Sequence, residues 1–128
     1  MTTENKKLLI GFLAVTLVTA GIVGWMLKGQ SGPGKLDTFA VCLEEEGAIF
    51  YGAFWCPHCQ DQKAMFGSSK DLLPYVECST PDGSEQNEAC NAVGIKSYPT
   101  WEFSGGERVT GSLSLEELSE KTGCPLPQ

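Results

Sequence analysis

Basic residues are scarce in this chain. Nine Lys and Arg stand against 16 Asp and Glu over 128 residues, a formal net charge of −7. No local basic cluster offsets that balance, which argues against nucleic-acid binding, because phosphates are held by concentrated positive charge. Internal repeats are absent. So is a nucleotide-type glycine loop: the glycine clusters, Gly32-Pro-Gly34 and Gly105-Gly106, fall in a linker and a turn. Apolar residues are not scarce. At 41% hydrophobic the chain is not a disordered one, and its length suits one domain. Six cysteines are too many for an ordinary cytosolic protein and too few for a knottin-like scaffold.

The averages hide a split. Leu8 to Leu27 is twenty residues without a charge, with Thr as its only polar residue type. At about 1.5 Å per residue it matches a hydrocarbon core of roughly 30 Å. Lys6 and Lys7 precede it, Lys28 and Lys35 follow, and Trp25 sits near its far end, where an interfacial aromatic is favoured. The expectation is a cytoplasmic tail over 1–7 and a retained single-pass anchor over 8–27. The competing reading is a cleaved signal peptide ending near Ala20. Either places the rest outside the cytoplasm, on the periplasmic or cell-surface side of a plasma membrane. The cysteine count favours such an oxidising compartment independently. Residues 28–36, with Gly29-Gln-Ser-Gly-Pro-Gly34 at their centre, are a flexible linker by composition. The globular domain then covers 37–128, with a core modest enough to benefit from disulfides. From Gly29 onward 6 basic and 15 acidic residues leave a net of −9.

Within that domain the pattern predicts α-β-α-β-α-β-β-α. Thr38 to Glu46 is a helix, capped by Asp37 and ended by Gly47. Its run Glu44-Glu45-Glu46 is a solvated helix end. Ala48 to Phe54 is a strand buried on both faces. A helix opens at the next motif and runs to about Phe66, with Met65 and Phe66 in the core. Tyr75 to Cys78 is a short strand, Thr80 to Gly83 a turn, and Glu85 to Val93 a helix closed by Gly94. Thr100 to Phe103 and Arg108 to Thr110 form a hairpin around Ser104-Gly-Gly-Glu107. Ser114 and Glu117 form a capping box, with Leu113 and Leu118 as its hydrophobic staple, and that helix ends at Gly123. Helices between strands imply parallel pairing, and the hairpin adds antiparallel strands.

Cys56-Pro-His-Cys59 carries the most specific signal. A CxxC that follows a buried strand and opens a helix is a redox motif by position. Pro57 suits the first helical turn, where its missing N–H costs nothing. Cys56 there meets unpaired backbone N–H groups and the positive end of the helix dipole, which favour thiolate over thiol. Cys56 is the candidate attacking sulfur and Cys59, one turn on, the resolving one. His58 between them can donate to the thiolate. Stabilising the reduced form makes the disulfide a stronger oxidant, by about 30 mV per 1.4 kcal/mol. The competing reading is a zinc site completed by Cys78 and Cys90. Their spacing is not a second CxxC, and an oxidising compartment disfavours it. No metal and no cofactor is expected.

The segment from about Asp37 to Gly123 resembles the thioredoxin superfamily. Tyr51-Gly-Ala-Phe-Trp-Cys-Pro-His-Cys-Gln60, Pro74-Tyr-Val-Glu-Cys78 and Ser97-Tyr-Pro-Thr-Trp101 resemble the thioredoxin-like domain that is fused to, or partners, bacterial vitamin K epoxide reductase homologues. The resemblance implies an α/β thioredoxin fold, a central mixed sheet flanked by helices. It implies thiol–disulfide exchange, with substrate proteins bearing free cysteines. It implies a quinone-linked membrane oxidoreductase as partner, in trans. By position, Pro99 matches the superfamily's cis-proline, which faces the CxxC and holds substrate backbone beside Tyr98. Trp55 matches the aromatic before the first active-site cysteine. Reducing thioredoxins carry a buried Asp six residues before that cysteine; Phe50 stands there instead. With Pro-His between the cysteines, as in DsbA-type periplasmic oxidants, this tilts the expectation toward an oxidase.

Four cysteines remain. A Cys78–Cys90 disulfide joins a strand end to the helix facing it, and the related domain resembles this chain at both positions. Cys42–Cys124 follows by elimination. The alternatives are a Cys42–Cys90 pair, an inert buried Cys42, or one pair relaying electrons to Cys56–Cys59. Glu77 is a surface strand residue or a proton relay near the dithiol. Two other functions fit the same motif. One is a reductase or isomerase fed by a membrane donor. The other is a CxxC metal-handling module.

Overall fold

The computed structural model describes residues 5–6 and 33–128. The expected anchor at 8–27, and the tail and linker apart from 5–6 and 33–36, lie outside the described residues. Among the described residues no helix is long and apolar enough to cross a membrane.

Residues 33–128 form helix α1 (Asp37–Glu45), strand β1 (Ile49–Gly52), helix α2 (Pro57–Ala64), a 3-10 helix (Gly67–Leu72) and strand β2 (Tyr75–Glu77). Helix α3 (Glu88–Ala92), strands β3 (Thr100–Glu102) and β4 (Arg108–Thr110) and helix α4 (Leu115–Thr122) follow. The sheet order is β2-β1-β3-β4. β1 runs parallel to β2 and antiparallel to β3, and β3 pairs antiparallel with β4. This mixed four-stranded sheet with its helices is an α/β fold of the thioredoxin-like kind.

Strand alternation divides the interior into two cores, because successive side chains point to opposite faces. Phe50 and Tyr75 face the side of α1, α2 and α4, where Phe39, Leu43, Cys59, Phe66, Trp101 and Leu118 pack together. Phe50 and Trp101 are register partners, and their rings stack at 4.8 Å. Tyr51 and Val76 face the other side, against Cys78, Cys90 and Ile95. The two disulfides follow this division. Cys42 of α1 joins Cys124 with Cα atoms 5.8 Å apart, closing 82 residues of sequence. Cys78 joins Cys90 of α3 at 5.5 Å, closing 12. Loop-closure entropy assigns the longer bond about 4.5 kcal/mol and the shorter about 3 kcal/mol. The competing Cys42–Cys90 pair assumed that α1 and α3 share a sheet face. They do not: Cys42 packs with the first core and Cys90 lies in the second.

Several elements differ from the sequence pattern. Asp37 is the first residue of α1 and Leu36 its cap; the Asp37 carboxylate instead accepts the Gly34 N–H at 2.8 Å. β1 ends at Gly52, because Ala53 begins a turn in which its carbonyl accepts the Cys56 N–H at 3.0 Å, and Phe54 turns out to solvent. α2 stops at Ala64 and passes into the 3-10 helix. Phe66 is buried against Phe39, but Met65 is exposed, not core. The buried face of α2 is the spacing Cys59, Gln62, Phe66, which leaves Met65 outside. α3 is shorter than the pattern, because Gln86 bridges to Ser79 and Asn87 takes the cap position, accepting the Cys90 N–H at 3.0 Å. The Ser114–Glu117 capping box is present, and both staple leucines, Leu113 and Leu118, are buried. In the β3–β4 turn, Gly105 and Gly106 have φ of 90° and 84°, a region other residues avoid.

Gln62 is the buried polar residue that ties α2 in place. Its Oε1 accepts the Leu113 N–H at 2.7 Å and the Trp101 indole N–H at 3.2 Å, and its Nε2 donates to the Leu113 carbonyl at 3.0 Å. Gln62→Met keeps the volume and strands all three partners. The expected loss is about 2–4 kcal/mol of unfolding free energy, measured by urea denaturation of the oxidised protein. A loss below about 0.5 kcal/mol would show that the bonds are replaced.

Candidate functional site

Cys56 and Cys59 are the free cysteines among the described residues, and both are buried. Cys56 is the N-cap of α2 and Pro57 its first residue. The Gln60 N–H closes the first turn on the Cys56 carbonyl at 3.1 Å. The Cys56 sulfur lies 3.9 Å from the Tyr98 carbonyl oxygen, a long S–H···O contact. The Tyr98–Pro99 peptide bond is cis, and Pro99 is fully buried. Segment 98–99 and the CxxC therefore meet face to face, although 42 positions separate Cys56 from Tyr98.

Aromatic residues rim this face. Trp55 is 51% exposed and Phe54 47%. The Trp55 indole N–H donates to Ser79 Oγ at 2.9 Å, and its ring meets Tyr98 edge-on at 6.0 Å. The Tyr98 hydroxyl donates to the Gln86 side chain. Exposed aromatics held in place this way offer a fixed apolar surface beside the Cys56 sulfur. His58 is exposed in the first turn of α2, and its carbonyl accepts the Ser112 hydroxyl at 3.2 Å.

Cys59 occupies a different environment. It is 1% exposed and packs against β1 at Gly52. A Cβ on Gly52 would lie 2.9 Å from both Cys59 Sγ and Tyr75 Cε2, so only glycine fits there. Burial, the largest cause, and the neighbouring Cys56 push the Cys59 thiol up to about 12. The Ala53 backbone and the Lys63 ammonium oppose that rise.

Beyond Cys59 a cleft of about 660 Å³ opens, with Gln60, Lys63, Lys70, Asp71 and Tyr75 among its walls. The Lys63 ammonium sits 3.2 Å above the Tyr75 ring centroid. The Tyr75 hydroxyl donates to Glu77 Oε2 at 2.7 Å, and Glu77 Oε1 accepts the Ser79 N–H at 2.9 Å and the Phe54 N–H at 3.2 Å. Glu77 is thus half-buried and holds the loop that leads into Trp55 and Cys56. Burial and the bond to Glu77 push the Tyr75 hydroxyl up.

The structure thus brings Trp55, Cys56, Pro57, His58, Cys59, Tyr98 and Pro99 to one end of the sheet. Cys78 and Cys90 are bonded to each other, so they are not free to join Cys56 and Cys59 in a four-thiolate zinc site. Gln62, Lys63, Tyr75 and Gly52 were not singled out from the sequence. Gln62 did leave a signal, a polar residue at helical spacing between Cys59 and Phe66. The contacts of Tyr75 and Gly52 depend on the β1–β2 register and left none.

The Cys59 environment predicts a distinct reactivity. Because the folded thiol titrates above its unfolded value of about 9, the stability it lends the reduced state is complete below pH 9. It is lost as pH rises toward 12. In the reduced protein, alkylation of Cys59 by iodoacetamide should rise about tenfold per pH unit from 8 to 11. Peptide mass mapping reads this directly, and a plateau near pH 9 would contradict it.

No protein-family profile matches the chain. An alignment of 91 positions, covering 67% of the chain, is 44% identical to the thiol-disulfide oxidoreductase LTO1 of Arabidopsis thaliana. The chain spans about a quarter of that relative's length, 24%.

Proposed function

We propose that this chain is a thiol–disulfide oxidoreductase that works through Cys56 and Cys59. The observation that carries the reading is the asymmetry of the two sulfurs. One stands at a helix N-terminus on an aromatic-rimmed face, and the other is buried one turn behind it. The name of the Arabidopsis relative supports the same reading.

In the oxidising direction a substrate thiolate attacks Cys56 Sγ, and the Cys56–Cys59 bond breaks with Cys59 as leaving group. A second substrate thiol then attacks the substrate sulfur of the mixed disulfide and releases Cys56. Substrate loses two electrons and two protons, and the CxxC gains them. Trp55, Tyr98 and Pro99 hold the substrate peptide across the motif. His58 and the helix N-terminus favour the reduced product. Phe50 in β1, where a reductase of this fold has a buried acid, supports an oxidase over a reductase or isomerase.

The chain acts outside the cytoplasm, anchored by residues 8–27. A quinone-linked membrane protein of the vitamin K epoxide reductase kind reoxidises it. The apolar run, the CPHC motif and the three-motif resemblance support this finer reading.

Full-length Cys59→Ser protein in its own membranes should accumulate mixed disulfides through Cys56, resolved by non-reducing electrophoresis and identified by mass spectrometry. The double variant with Cys56→Ser should accumulate none. No adduct in either would remove the exchange reaction. The Cys56–Cys59 potential should lie well above the roughly −270 mV of a reducing thioredoxin. A value at or below that level would reverse the direction of electron flow.

A further inference from the structure

The buried position of Cys59 creates a chemical demand that the reacting face does not meet. A sulfur with so high a proton affinity is a poor leaving group as a bare thiolate. It needs a proton as its bond to Cys56 breaks. The substrate face offers Cys56, the Tyr98 carbonyl, aromatic rings and the exposed His58, which is not among the groups acting on Cys59. The β1 residues on its side are Phe50 and Gly52, which carry no titratable group.

The cleft behind Cys59 supplies one. Lys63 lies four residues on, on the same face of α2, where side chains at this spacing are neighbours. Cys59 and Lys63 both line the cleft. Both also reach the Tyr75 ring: the space beside Gly52 is bounded by Cys59 Sγ and Tyr75 Cε2, and the Lys63 ammonium sits over the same ring. The charged and titratable groups facing Lys63 are Glu77 and Tyr75 from β2, Lys70 and Asp71 from the 3-10 helix, and Cys59 from its own helix. Burial, the largest effect, pulls the Lys63 ammonium down, which makes it a better acid, while Glu77 and Cys59 oppose that.

Resting on the thiol–disulfide reading above, we propose that Lys63 passes a proton to the Cys59 sulfur as it leaves Cys56. The step balances. A substrate thiolate forms a bond to Cys56 Sγ, the Cys56–Cys59 bond breaks, and its electron pair goes to Cys59. The Lys63 ammonium gives that sulfur a proton and regains one from water in the cleft. When a disulfide oxidant re-forms the Cys56–Cys59 bond the relay runs backwards: the Lys63 ammonium first releases a proton to water in the cleft, and its neutral amine then takes the Cys59 proton. Substrate thus meets Cys56 on one side of the motif, and the proton meets Cys59 on the other.

The test uses full-length protein, oxidised at Cys56–Cys59, as wild type, Lys63→Met and Lys63→Arg. Each is mixed with excess dithiol peptide from pH 6 to 11, quenched in acid, alkylated and weighed, which gives the single-turnover rate. Arg keeps the charge but holds its proton too tightly to give it up. The wild-type rate should rise with substrate thiolate and then fall as Lys63 loses its proton. Both variants should be at least about tenfold slower at pH 7 and lack the falling limb. Alkylation of Cys56 in the reduced proteins should be unchanged. Wild-type rate and profile in Lys63→Met overturn the proposal, as does full rescue by Lys63→Arg, which would assign the residue a charge role alone. Equal slowing of Cys56 alkylation would also overturn it, as a general disturbance of the helix. Wild type that exchanges no disulfide with any dithiol would instead sink the underlying thiol–disulfide reading, and that outcome is separately visible.

Discussion

The site depends on how closely α2 is held to the sheet, and a buried amide holds it. Gln62 has no exposed surface, yet its three hydrogen bonds to Trp101 and Leu113 leave no donor or acceptor of those partners to be solvated elsewhere. A polar group buried at this depth is tolerated only in the position that satisfies it, so it fixes register as well as distance. One turn earlier the same face of the helix carries Cys59, seated against Gly52. The amide sets the height and rotation of the helix. The absent side chain of Gly52 then lets the Cys59 sulfur reach the strand.

The strand alternation organises everything outward from that contact. Phe50 and Tyr51 are adjacent in sequence and belong to different cores. Each core carries one disulfide, Cys42–Cys124 on the α2 side and Cys78–Cys90 behind the sheet. The domain is small, and cross-links that close 82 and 12 residues compensate for a core of limited area. They also leave Cys56 and Cys59 as the free sulfurs among the described residues, at the one end where a helix N-terminus, the Tyr98 carbonyl and buried Pro99 converge.

The two sulfurs have opposite surroundings. Cys56 sits at a helix cap beside Trp55 and Tyr98, an apolar and aromatic rim suited to an extended peptide. Cys59 looks into a cleft walled by Lys63, Tyr75 and Asp71, the polar side of the motif. Glu77 links the two sides, since its carboxylate bonds both the Tyr75 hydroxyl and the backbone of the loop that carries Trp55. Of its two readings, surface strand residue or relay, neither describes this anchoring role. Side-chain chemistry suggested a proton, but the strand register gave the carboxylate other donors.

Much of the site was readable from local sequence, for physical reasons. A buried strand followed by CPHC puts a sulfur at a helix N-terminus, because Pro57 both starts the helix and costs it no hydrogen bond. The capping box at Ser114 and the hairpin glycines are equally local, since each depends on neighbours within a few residues. What failed was non-local. Met65 read as core until the helix rotation, set by Gln62, turned it outward. The Glu85 helix began late because Gln86 was taken by a bridge to Ser79. The Cys42–Cys90 alternative fell because the two helices lie on opposite faces of the sheet. The sequence by itself determined which sulfurs stand at a helix end, because spacing and capping act along the chain. Only the tertiary structure decided what surrounds them, the cleft, Lys63 over Tyr75 and the buried Gln62, because those contacts arise between strands and helices that are distant in sequence.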